Sequence, residues 1–151
     1  GAGTTLGATV ARAGSAANVV PEEAELVVDA RAWSGAEASR VSAALRAYRP
    51  TDPDVAVSVE GGFDRPPLEP TRASEALFDA ARGIAADLGF EMGAARVGGT
   101  SDGNFTAAAG IPTLDGLSPR GGGAHAPDEH VLVADLATRA ALVAALVARP
   151  D

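Results

Sequence analysis

Three segments in the first sixty residues place an apolar side chain at every second position. They are Leu6, Ala8 and Val10; Ala24, Leu26, Val28 and Ala30; and Val55, Val57 and Val59. A period of two sends alternate side chains to opposite faces, which is the pattern of a half-buried strand. Between the second and third segments, Ser34-Gly35-Ala36-Glu37 reads as a capping box, with serine at the cap and glutamate three residues later. Val41, Leu45 and Tyr48 then recur at helical spacing, and Pro50 follows the end. The order β-β-α-β predicts an antiparallel sheet with helices on one face.

The period changes beyond Gly61 to Pro70, a stretch holding two glycines and three prolines. This is the best domain boundary, and the chain divides there into residues 1–67 and 68–151. Leu77, Ala81, Ile84 and Leu88 form a helical stripe stopped by Gly89. Met92 to Val97 reads as a weak strand, and Gly98 to Gly103 is a polar, glycine-rich turn. Asp102 is placed to cap a short helix ending at Gly110. Ile111 to Leu114 reads as a short strand. The last helix is expected from about Ala134 to Arg149, with Leu136, Val143 and Val147 inward. The fold class is α/β (α+β).

Charge narrows the function. All 12 basic residues are arginine and the net charge is −8. The first part carries 6 arginines against 9 acids and the second 6 against 11. Neither has the basic face that nucleic acid requires, and no apolar run is long enough to span a bilayer. The N-terminus lacks the basic-then-apolar pattern of a signal peptide, so the expectation is a cytoplasmic protein without membrane partners. With no cysteine, disulfides and thiolate metal sites are excluded.

Histidine chemistry is confined to one place, because the two histidines, His125 and His130, share the loop Gly121-Gly122-Gly123-Ala124-His125-Ala126-Pro127-Asp128-Glu129-His130. The glycine run lets the backbone pass close to another group. The spacing is not that of a one-helix zinc motif, and Pro127 opposes a helix there. Two readings stand: a metal-binding loop completed by distant residues, or a loop in which His125 bonds a backbone carbonyl and His130 is exposed. Gly99-Thr100-Ser101-Asp102-Gly103 matches the nucleophile-elbow pattern, with Asp115 and His125 following in triad order. A serine hydrolase using Ser101 is one reading, and a turn offering backbone N–H groups to an anion is the other. Arg31, beside Asp29 on the polar face of its strand, is either a surface ion pair or a carboxylate clamp.

Taken together, these segments resemble one family. Ser15 to Leu26 (Ser-Ala-Ala-Asn-Val-Val-Pro-Glu-Glu-Ala-Glu-Leu), followed by Asp29-Ala30-Arg31, is similar to the lid, or dimerisation, domain of the dinuclear zinc aminoacylases and carboxypeptidases. That family includes glutamate carboxypeptidase, succinyl-diaminopimelate desuccinylase and acetylornithine deacetylase. Gly98-Gly99-Thr100-Ser101-Asp102-Gly103-Asn104-Phe105 resembles its glycine-rich turn. Gly110-Ile111-Pro112 and Gly123-Ala124-His125-Ala126-Pro127-Asp128-Glu129 resemble its final metal-ligand loop. Order and spacing fit from about Thr4 to Arg149.

The resemblance implies a partial ferredoxin-like lid, entered at its second strand, joined to the C-terminal part of an α/β zinc-peptidase catalytic domain. It implies hydrolysis of an amide bond beside a free carboxylate by a metal-bound water, in a protein that dimerises through the lid. It makes His125 a zinc ligand. Asn18, Arg31, Gly99 and Thr100 become substrate-binding residues, with Arg31 on the carboxylate, and Asp102 and Glu129 become supporting residues. Ser101 then has no nucleophilic role. No segment here matches the family's other zinc ligands, its general-base glutamate or its lid histidine. The resemblance therefore places no catalytic residue in this chain, which alone is expected to be inactive, with a non-catalytic association module as the alternative.

Overall fold

A computed structural model describes residues 3–149. The described residues form two compact units: residues 3–69 with 96–108, and residues 70–95 with 109–149. The glycine-rich turn thus belongs with the first unit, although 27 residues separate Pro70, the end of the Gly/Pro-rich stretch, from Gly98.

In the first unit, β1 (Thr5–Ala13) and β2 (Ala24–Arg31) pair antiparallel as a two-stranded ribbon. Leu6 faces Ala30 and Ala8 faces Val28, but Val10 faces Val27. One extra residue, Thr9, is therefore accommodated in β1 as a bulge. The stripe expected for Leu6, Ala8 and Val10 is broken by it. Leu6 and Ala8 keep one face, while Val10 joins Val27 on the other, because facing residues share a side. The polar face carries the cross-strand pair Arg12–Glu25 (3.2 Å) and, farther along, Asp29 and Arg31.

Helix α1 (Gly35–Ala47) starts where the capping pattern puts it, with the Ser34 hydroxyl accepting from the Glu37 N–H. The other half of the box is not made. Glu37 instead accepts from Thr4 Oγ1 (2.7 Å) and from two guanidinium nitrogens of Arg40 (2.8 and 2.9 Å). These bonds, that to Arg40 first, hold its carboxyl at about 2. Ala38 and Val41 are the buried apolar residues of this unit. No strand forms over Val55 to Val59, and all three valines are exposed. Alternation supplies a strand's side-chain pattern but not the neighbouring chain that must complete its hydrogen bonds, and among the described residues only β1 and β2 pair in this unit.

In the second unit, α2 (Arg72–Asp87) packs against α4 (Leu136–Val147). Thr71 and Ser74 close a reciprocal capping box at the start of α2, and Gly89, at φ +83°, follows its end. The short α3 (Gly103–Ala108) belongs to the first unit, and the paired strands β3 (Gly121–Gly122) and β4 (His130–Val131) precede α4. The expected strands at Met92–Val97 and Ile111–Leu114 are absent for the same lack of partners. Ala81, Ala85 and Leu142 are fully buried. The expected inward residues of α4 are corrected, since Leu136, Val143 and Val147 are all exposed. In a helix this apolar, the pattern leaves the choice of inward face to the packing partner.

Leu142→Ala is expected to destabilise the protein by about 2–5 kcal/mol in urea unfolding, as a large buried side chain gives way to a cavity. Val147→Ala, at an 81%-exposed position, should stay within about 0.5 kcal/mol. Equal effects would contradict the packing described.

Candidate functional site

The glycine-rich turn is shaped mainly by one buried amide. Asn104, 4% exposed, accepts from the Ser101 N–H through Oδ1 (2.9 Å) and donates through Nδ2 to the Pro66 carbonyl (2.8 Å). The Ser101 hydroxyl accepts from the Gly103 N–H at 3.0 Å. Asp102 does not act through its carboxylate as a cap. That group pairs with Arg65 (3.1 Å), and the Asp102 carbonyl accepts from the Phe105 N–H. Arg65 also lies over the Phe105 ring, 5.2 Å from its centre. Asn104 and Arg65 were given no role by the sequence. The only hint was an amide three residues after Ser101, the spacing of a reciprocal cap.

This arrangement leaves Ser101 poorly suited to act as a nucleophile. An elbow needs a strand running into it, and residues 91–100 contain none. Its hydroxyl is already engaged by its own turn. The backbone N–H groups of Gly99 and Thr100 donate to no described residue. Arg31 reaches Gly98, the residue before them: its Nη1 donates to the Gly98 carbonyl at 3.4 Å and its Nε donates to Asp29 at 2.7 Å. A Cβ on Gly98 would come within 3.0 Å of Arg31 Cδ, so a glycine there lets the arginine lie against the turn.

Arg31 is therefore brought against Gly98, the residue before Gly99 and Thr100, whereas Asn18 is not. Asn18 sits in the connection between β1 and β2, beyond one end of the ribbon, and Arg31 closes the other. Eight strand residues separate the two ends by about 25 Å.

In the second unit, the glycines of the histidine loop have a steric purpose. A Cβ on Gly121 would collide with the His130 carbonyl oxygen, and one on Gly123 would meet the Asp128 oxygen at 2.9 Å. The group the glycine run approaches is thus the loop's own returning strand. His125 has φ 64°, the one non-glycine residue with positive φ among those described. It is held there by a turn in which the Ala126 N–H bonds the Gly123 carbonyl (2.8 Å) and the Glu129 carboxylate accepts from the His125 N–H (3.4 Å). The ring that bonds a backbone carbonyl is His130, whose Nδ1 lies 2.9 Å from the Asp128 oxygen. A carbonyl only accepts, so this nitrogen carries a proton. The His125 ring bonds no described residue and is exposed.

The base of the loop is clamped by Arg120. Its Nε and Nη2 donate to the two oxygens of Asp135 at 2.6 and 2.9 Å, and its carbonyl accepts from the Leu132 N–H at 2.7 Å. The guanidinium bond, foremost, holds the Asp135 carboxyl at about 2, below the usual 3.8. A carboxyl lowered by folding stabilises above its unfolded value and loses that contribution as pH falls towards its folded one. Leu132 amide protection should therefore fall between about pH 4 and about pH 2. Asp135→Asn should show weaker protection at neutral pH and no such step. An unchanged step in the variant would assign it to another group.

Zinc bound by protein alone takes three or four ligands. Among the described residues, no three histidine, aspartate or glutamate side chains are gathered closely enough to hold a metal ion. His125 and its loop do not form a zinc site by themselves.

No helix of the described residues is long and apolar enough to cross a membrane. No curated protein matches the sequence. A profile of peptidase family M20/M25/M40 matches residues 3–149. With the turn, the arginine and the histidine loop all inside that match, the chain belongs to the M20/M25/M40 peptidase family.

Proposed function

We propose that the protein serves a zinc-dependent amidohydrolase that cleaves the amide bond of an N-acyl amino acid or short peptide beside a free carboxylate, as in the carboxypeptidases and deacylases named above. The observation that carries this reading is the position of Arg31 against the Gly98 carbonyl. A planar cation is thereby set against the residue that precedes the unbonded N–H groups of Gly99 and Thr100, and a guanidinium with free backbone N–H groups on the same turn suits a planar anion. In this reading Arg31, Gly99 and Thr100 receive the substrate carboxylate, Asn18 makes a separate contact, and Asp102 and Glu129 support the turn and the loop. Asp102 is paired with Arg65, and the Glu129 carboxylate accepts from the His125 N–H.

Zinc is the cofactor implied by the family, and His125 is this chain's proposed ligand. Its exposed, unbonded ring is compatible with that role. The described residues gather no set of three donors, and in this reading further ligands and a general base come from a partner or another segment and this chain alone is inactive. After zinc loading and desalting, the pure chain should retain well below one zinc and should not hydrolyse N-acetyl-L-alanine. It should still bind that acid at least about tenfold tighter than the corresponding amide, the scale of a lost charge-assisted contact. Two retained zincs with turnover would refute inactivity, and equal binding of acid and amide would refute the carboxylate assignment.

A second reading, a non-catalytic association module, is favoured by the ribbon. Among the described residues its two strands pair only with each other. Leu6, Leu26 and Val28 are exposed. Unpaired edges beside exposed apolar side chains promote association. A homodimer through this ribbon should appear in light scattering as concentration rises, and a monomer throughout would count against it.

A further inference from the structure

Arg31 is gripped at two places, and one of them is an acid for which no role has been given. The guanidinium carries five N–H donors in a fixed plane. The Nε donor goes to Asp29 Oδ2 at 2.7 Å and an Nη1 donor goes to the Gly98 carbonyl at 3.4 Å. Three donors remain, and the side chain is 49% exposed. Two fixed points on a planar group determine where its remaining donors lie.

The ribbon explains why Asp29 can do this. Asp29 and Arg31 are two residues apart on β2 and so project from the same face. Across the ribbon, Asp29 faces Gly7, where an added Cβ would meet nothing within 4 Å. No side chain opposite Asp29 competes for its carboxylate. Gly7 and Gly98 thus act on the same pair from two sides: one leaves the acid without a cross-strand rival, and the other leaves room for the arginine stem.

We infer that Asp29 is a positioning residue, holding Arg31 so that its remaining donors meet an incoming carboxylate at the Gly98–Thr100 turn. This rests on the carboxylate-binding reading of Arg31 given above. The sign of the effect separates positioning from bulk charge. If Asp29 contributed only negative charge near an anion site, removing it would tighten carboxylate binding. If it positions the arginine, removing it weakens binding, because the guanidinium must then be ordered when the ligand arrives.

The test uses the full 151-residue chain with N-acetyl-L-alanine as probe, followed by NMR titration of the Gly98, Gly99 and Thr100 amides. Asp29→Ala is expected to weaken binding by about three- to tenfold, the scale of a typical hydrogen bond's net contribution. Asp29→Asn keeps an acceptor oxygen and should recover most of the loss. Independently of ligand, the Arg31 Nε–H proton should exchange faster with water in Asp29→Ala than in the parent chain. Tighter or unchanged binding in Asp29→Ala, or an Nε–H exchange rate indifferent to the substitution, overturns the proposal. Arg31→Ala is the separating control. If it binds the probe as the parent does, the carboxylate reading itself falls. If Arg31→Ala loses binding while Asp29→Ala does not, only the role of Asp29 falls.

Discussion

The side-chain amide of Asn104 is the interaction on which the shape of the first unit's glycine-rich turn depends. It joins the turn at Ser101 to the carbonyl of Pro66, so a segment distant in sequence becomes part of the ribbon's unit. Burying an amide is unfavourable unless its donors and acceptors are used. Here Oδ1 and Nδ2 each have a partner, which favours a single conformation of the turn over several. The contact between Arg31 and the Gly98 carbonyl follows from that placement, as does the pairing of Arg65 with Asp102.

Local signals in the sequence were legible where the structure is local. The bounds of β2, the serine cap of α1 and the stop at Gly89 all depend on a few neighbouring residues. The failures have a common cause. Val55 to Val59, Met92 to Val97 and Ile111 to Leu114 have strand-like composition, but a strand exists only with a partner. The bulge at Thr9 shows the same limit at smaller scale, since the alternation of β1 is correct on each side of it and the register across it is set by β2. In α4, nearly every residue is apolar, so the choice of Leu142 as the buried one depended on α2.

The site was legible in part for related reasons. Glycine-rich turns and lone histidines stand out in a sequence because their residue types are unusual. Residues that fix them in place do not. Asn104, Arg65, Arg120 and Asp135 are ordinary polar residues whose roles depend on long-range partners, at sequence separations of 38 for Asn104–Pro66, 37 for Arg65–Asp102 and 15 for Arg120–Asp135. The family match over residues 3–149 supports the peptidase character of the chain, while the ion pairs and amide bonds describe how each unit holds its own turn or loop.

The backbone at His125 has a consequence for redesign. Its left-handed conformation is inexpensive for glycine and tolerable for asparagine or aspartate, but costly for branched side chains. An engineer exchanging this imidazole for another donor would find aspartate the natural replacement in that loop. Threonine would oppose the turn whatever its hydroxyl could bond. The range of chemistries available at this position is thus set by a dihedral angle as much as by the side chain attached to it.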